Sequence, residues 1–362
     1  MSTENFARTS DEPEQSRKMF EMKRERTETR LKVWSKSRNS ICLILLTIFE
    51  AIVVIALESV IFAKFTNTNF TKHNLGVPIP SYLMIFIFSQ VFQVCLAWDA
   101  VRAQNTIQVI AFVLFNMCCF IYAAFQFKQI ADAINDGINP GPGAPSGDSQ
   151  NAKDLKALID QLLIVCTVIT GVCELLYFYI GARLYQEFGW RIYKKIGADP
   201  EIRNMYRWYQ IFLTILKLDI FFLLGYSIQY LVLVLTPGDV EYPLTIIALP
   251  ITCLVLILAV YAVRHESRPL VILFFLGLMA GVAYFVFKIY RIYDINQHYK
   301  YIGVSDFLTF FASVTLLLLV LTIINASICW FNFGKGLKLH LLRDQSTNAL
   351  TNNSGDRTLS LD

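Results

Sequence analysis

FLTFFASVTLLLLVLTII, residues Phe307–Ile324, runs for 18 positions without a charged side chain. As a helix it rises about 27 Å, close to the roughly 30 Å of a bilayer's hydrocarbon core. Backbone N–H and C=O groups in lipid must be satisfied within their own segment, so the stretch reads as a transmembrane helix. Outward from it, the same pattern recurs along the chain. The predicted spans are Ile41–Ala63, Ser81–Trp98, Ile107–Phe127, Leu158–Gly181, Trp208–Leu235, Pro243–Val263, Pro269–Phe287 and Asp306–Trp330. The expected fold class is therefore all-α: a polytopic integral membrane protein, a bundle of about eight transmembrane helices. Composition agrees. The chain has 362 residues, 55% apolar and only 17% charged, with mean hydropathy +0.48, whereas a soluble domain carries about a quarter charged residues.

Lys and Arg set the orientation, because they accumulate on the cytosolic side. With the amino terminus placed there, 23 of the 32 basic residues fall on cytosolic segments, eight on the other side, and Lys217 inside a span. Eight spans then put both termini in the cytosol. A seven-span threading, dropping the short second span with Gln90 and Gln93, breaks this alternation. Residues 1–40 form a charged cytosolic tail with no apolar signal-peptide core, so the first span reads as an uncleaved signal anchor. Residues 41–332 form the transmembrane domain. Residues 333–362 form a cytosolic tail expected to be largely disordered.

Between the spans, Asn69-Phe70-Thr71 is a candidate glycosylation sequon. The Gly- and Pro-rich stretch within Lys128–Ala157 is expected to be an irregular connector. The cytosolic segment Ala182–Arg207 alternates aromatic and basic residues around Trp190, Tyr193, Lys194 and Lys195, a composition suited to the headgroup level. Asp199-Pro200-Glu201 is expected to start the fifth helix. Pro250 is expected to bend the sixth span. Gly277 and Gly281, four apart in the seventh span, form a candidate helix-contact pair. No internal repeat is evident.

The chemistry-bearing residues lie within the spans. Glu50, Glu58, Glu174, Lys217 and Asp219 each cost roughly 2.5–3.5 kcal/mol at the membrane centre, so they are expected to face the bundle interior. Counting from the cytosolic edge, Glu50 and Lys217 lie about 14 Å deep and Glu174 about 10 Å. Glu50, Glu174, Lys217 and Asp219 are thus a candidate intramembrane ion-pair or relay layer. Two readings stay open: Lys217 paired with Glu174 or Glu50 to fix helix packing, or a polar path for a solute or proton. The eight cysteines fall in or beside spans and read as packing residues. His73, His265, His298 and His340 lack zinc spacing. There is no HExxH, GxSxG or GxxxxGK[ST], and no catalytic residue, cofactor or metal site is expected.

Three stretches resemble one known family: DAVRAQNTIQVIAFVLFN (Asp99–Asn116), EFGWRIYKKIGADPEIRNMYRWYQIFLTILKLDIFF (Glu187–Phe222) and WFNFGKGLK (Trp330–Lys338). The chain is similar here to the fungal family of uncharacterised Golgi apparatus membrane proteins. The resemblance implies a multi-spanning Golgi or related endomembrane protein and supplies no site residues. Function is therefore expected to be a structural, adaptor or trafficking role, with cytosolic partners at residues 182–207 and the tails. The alternatives are a small-solute or proton-coupled transporter using the polar layer, and a receptor-like sensor. The bilayer itself is a certain partner; no nucleic acid is expected, and the sequence sets no oligomeric state.

Overall fold

The computed structural model describes residues 37–67, 78–138, 149–196, 200–235, 241–294, 301 and 304–334. Among these the chain forms eight helices and no strand. They are α1 (Arg38–Asn67), α2 (Pro78–Ala103), α3 (Thr106–Ile138), α4 (Ser149–Ile196), α5 (Pro200–Leu233), α6 (Glu241–Arg264), α7 (Arg268–Tyr293) and α8 (Ser305–Phe331). Each is long and apolar enough to cross a bilayer. Asn69 and Asp199 lie outside the described residues.

Several helices outrun their predicted spans. α3 continues to Ile138 and α4 starts at Ser149, so both flanks of the segment Lys128–Ala157 are helical, while residues 139–148 of its Gly- and Pro-rich stretch lie outside the described residues. At its other end α4 continues through Ala182 to Ile196, giving 48 residues and about 72 Å. The cause is visible at Leu184 and Phe188, which are fully buried, and in Ser37, whose hydroxyl donates to Glu187 Oε2 at 2.8 Å. Protein contacts hold the first two turns beyond Gly181. Pro250 sits inside α6, which is helical on both sides of it.

The helices form two four-membered rings. In the first, α1 packs on α2 and α4, and α3 packs on α2 and α4. In the second, α5 packs on α6 and α8, and α7 packs on α6 and α8. The wiring is the same in both, and so is the central turn. Between α2 and α3 the left-handed residue is Gln104 (φ 49°), and between α6 and α7 it is Glu266 (φ 53°). Each helix end is closed by a backbone bond reaching back five residues, Asn105 N–H to Ala100 O and Ser267 N–H to Ala262 O, the helix-stop geometry that caps orphan carbonyls. Asn105 Oδ1 then accepts from Ile107 N–H at 3.0 Å and caps α3. A repeat therefore exists in the topology although none is readable in the residues.

α5 joins the rings by packing on α2 and α3. The seam is aromatic: Phe221 lies within 6 Å of Phe88, Phe92 and Phe115, and Phe307 of α8 contacts Tyr82 and Tyr122. Ring pairs contribute about 0.5–1.5 kcal/mol each beyond their buried area. Leu175, Leu254, Leu276 and Phe331 are exposed on the outside, where hydrocarbon is the solvent.

Candidate functional site

Four helices bring polar side chains together inside the first ring. Glu50 of α1 is fully buried. Its Oε2 accepts from the Tyr177 hydroxyl at 2.6 Å and from Gln93 Nε2 at 3.0 Å. Gln93 Nε2 also donates to Asn116 Oδ1 at 2.7 Å. Asn116 Nδ2 donates onward to Glu174 Oε2 at 2.8 Å. Tyr177 and Glu174, one turn apart on α4, thus hold the two ends of a chain that passes through α1, α2 and α3. The spacing of three places both on one helical face.

A second polar group lies two turns further along α1. Glu58, also fully buried, accepts from Gln126 Nε2 of α3 at 2.9 Å and from the Cys166 thiol of α4 at 3.5 Å. A third sits in the other ring, where Thr322 of α8 donates to Asp219 Oδ2 of α5 at 2.6 Å. The three groups use the same device. A carboxyl on one helix receives a hydroxyl, amide or thiol from its neighbours, so that each pair of helices has a fixed register.

Of the four residues in the expected layer, the structure joins Glu50 to Glu174 and leaves the other two elsewhere. Lys217 forms an ion pair with Asp99 of α2, not with Glu174 or Glu50, and both side chains are more than a third exposed. The expected pairing is corrected for a geometric reason: Lys217 points across the seam to α2 and meets Asp99, six residues and about 9 Å of helix beyond Gln93, which bonds Glu50. Two turns earlier on α5, Gln210 Oε1 accepts from Asn105 Nδ2 at 2.8 Å, a second clasp between the rings. Asp219 lies on α5 two residues away and faces α8 instead.

Lys288 was expected on a loop just beyond the seventh span. It lies within α7, 3% exposed, and donates to the Tyr230 hydroxyl at 2.6 Å. Its ammonium is 4.0 Å from the Tyr230 ring centroid and 5.3 Å from that of Tyr284, a cation–π setting. The signal available in sequence was Tyr284, one helical turn before Lys288. The Gly277 and Gly281 pair does not form one contact surface. A methyl at Gly277 would meet Val255 of α6 at 3.9 Å, and one at Gly281 would meet Leu319 of α8 at 3.4 Å. Gly225 and Gly171 are the close approaches, with Phe311 and Phe120 rings only 2.5 and 2.9 Å from where a Cβ would stand.

Chemically, the cluster accepts hydrogen bonds at carboxyl oxygens through amide and phenol donors. Among the described residues no group of three or more His, Cys, Asp or Glu is placed to hold a metal ion. On α5's first turns, Glu201, Arg203, Asn204 and Arg207 line an open groove of about 340 Å³.

No family model matches the chain, and no solved structure matches it. The chain is 31% identical over 326 residues to a UPF0658 Golgi apparatus membrane protein of Schizosaccharomyces pombe, a match covering 86% of this chain and 92% of that protein. At that identity and coverage the chain belongs to the UPF0658 family of Golgi apparatus membrane proteins.

Proposed function

We propose that this protein is a non-enzymatic Golgi membrane scaffold that engages cytosolic partners through the end of α4 and the start of α5, in an adaptor or trafficking role. Both termini lie in the cytosol in this reading, as the distribution of Lys and Arg requires. The observation that carries it is the length of α4. About 15 residues of helix continue beyond Gly181, some 22 Å, braced by Ser37 on Glu187. Trp190 and Tyr185 stand exposed there, 61% and 56% accessible. Large exposed aromatics beside basic residues are the composition of protein interface anchors.

The intramembrane network supports the same reading. A transporter requires a hydrated path to its polar groups, whereas Glu50 and Glu174 are tied directly to neighbouring helices and are 0% and 5% exposed. Amide groups also interrupt any proton relay between them, since Gln93 and Asn116 donate hydrogen bonds without passing on a proton.

The test is crosslinking of the tagged protein in intact membranes, with captured proteins identified by mass spectrometry. Trp190→Ala and Lys194→Ala are expected to lose captured proteins while their thermal stability stays at the wild-type value. Asn116→Ala is expected to do the reverse. Solute uptake by purified protein in liposomes, abolished by Glu174→Gln, would replace this reading with a transport one.

A further inference from the structure

The polar cluster of the first ring leaves several of its buried oxygens without a donor. Tyr177 brings one O–H, and Gln93 uses both amide hydrogens, on Glu50 and Asn116. Asn116 reaches Glu174. Glu50 Oε1, Gln93 Oε1 and Glu174 Oε1 remain buried without a partner. Their side chains are 0%, 1% and 5% exposed. Gln90, one turn from Gln93 on the same face of α2, is fully buried, and neither end of its amide has a partner.

Charge poses the sharper problem. Two carboxyls lie in the interior of a helix bundle, and among the described residues no Lys, Arg or His bonds to either; the one ion pair of the layer, Lys217 with Asp99, lies elsewhere. A buried charge persists only when paired. We propose that Glu50, Gln93, Asn116, Glu174 and Tyr177 form an intramembrane binding site for a small monovalent cation, H⁺ or Na⁺, taken up on the free carboxyl oxygens. The ligand set is hard oxygen throughout, which excludes soft metals. Among the described residues no third carboxyl joins the pair, whereas Ca²⁺ takes roughly six to eight oxygens, several of them from carboxylates. A proton needs only one oxygen, and Na⁺ would draw on the amide oxygen of Gln93 together with the carboxyl pair.

The titratable groups around the site are few. α4 presents Tyr177, Cys166 and Cys173, and α3 presents Cys118 and Cys119, all close enough to interact with these carboxyls. α2 presents the amides of Gln90 and Gln93, and α1 carries Glu58 two turns away. A phenol and thiols ordinarily ionise far above a carboxyl, so uptake between acid and neutral pH falls to Glu50 and Glu174.

The experiment is thermal unfolding of the full chain in lipid nanodiscs, from about pH 5 to about pH 9, in Na⁺ or in N-methylglucamine at equal ionic strength. If protons bind, Tm is highest in acid and falls by about 3 °C or more as pH rises, because the folded state binds more protons than the unfolded one. If Na⁺ binds, replacing it lowers Tm by a similar amount at alkaline pH. The Glu50→Gln/Glu174→Gln double variant is expected to abolish the Na⁺ response and to reduce the proton response to the part left by the buried carboxyls of Glu58 and Asp219, and Glu58→Gln to retain the Na⁺ response. A flat wild-type response in both series overturns the proposal, as does a double variant with the wild-type slope. Should the double variant not fold, carbodiimide labelling of the wild type decides. Glu50 or Glu174 modified in acid and protected by alkali or Na⁺ supports the site; equal or absent labelling in all conditions overturns it. The scaffold reading is independent, because a cluster that only clips helices lowers Tm when mutated without changing its slope, and the Trp190 result is unaffected.

Discussion

Asn116 is the residue through which α2, α3 and α4 meet, since it accepts from Gln93 and donates to Glu174. Hydrogen bonds between membrane helices average only about 0.6 kcal/mol. Removing this one does more, because it strands the buried Glu174 Oε2, takes one of two acceptors from Gln93 Nε2 and opens a cavity, and a buried group left unsatisfied costs about 1–3 kcal/mol. Asn116→Ala is therefore expected to lower unfolding stability by about 2–4 kcal/mol, read from thermal or denaturant unfolding in detergent. Lys217 and Asp99 offer the contrast. Their side chains are more than a third exposed, so either alanine variant is expected to cost at most about 1 kcal/mol. The swapped pair Lys217→Asp/Asp99→Lys should recover it, and swapping Lys217 with Glu174 should not. Sequence grouped Glu50 with Glu174 and missed where Lys217 points. Counting at 1.5 Å per residue places Glu50 and Glu174 at one level, but a helix that is apolar on all sides does not announce which face turns inward. Asp99 was overlooked because it lies one residue past the predicted second span, and Lys288 because it lies one residue past the seventh.

At the scale of the helix, glycines decide how closely two elements approach. Gly225 of α5 lies under the Phe311 ring of α8, where an added Cβ would stand 2.5 Å from ring carbon. That ring belongs to the aromatic seam, packed against Phe222 and Tyr122, and has little freedom to retreat. Gly225→Ala is expected to cost about 1–3 kcal/mol through overpacking, visible as a lower Tm. Gly277→Ala is expected to be neutral or slightly stabilising, because its nearest neighbour is an ordinary 3.9 Å away and Ala exceeds Gly in helix propensity by about 1 kcal/mol. The four-residue spacing of Gly277 and Gly281 was legible and pointed to the wrong pair, since spacing shows that two residues share a face and not what lies opposite. Helix existence was fully legible from apolar length. Helix ends were not: α4 passes Gly181 because Leu184 and Phe188 find protein to bury against, a tertiary effect that local polarity opposes.

At the scale of the molecule, the two rings share a wiring that their residues conceal. Lipid asks only that most positions be apolar, so two halves can keep the same order of helices and the same left-handed central turn while their interior residues diverge. The first ring is fastened by Glu50, Gln93, Asn116 and Glu174, the second by Asp219 with Thr322 and by Lys288 with Tyr230. Each ring closes on itself, and between them run an aromatic seam, the Lys217–Asp99 pair and the Asn105–Gln210 bond. Such an arrangement predicts that the chain tolerates a break between the rings better than a break within one. Residues 1–198 and 199–362, expressed together as separate chains, are expected to assemble in the membrane and co-purify through a tag on either. Cutting instead between Gln104 and Asn105 removes both the helix stop of α2 and the cap of α3, and should reduce recovery of the assembled protein severalfold. Equal recovery from the two cuts would mean that the rings are not units of assembly and that the eight helices find their places as a single bundle.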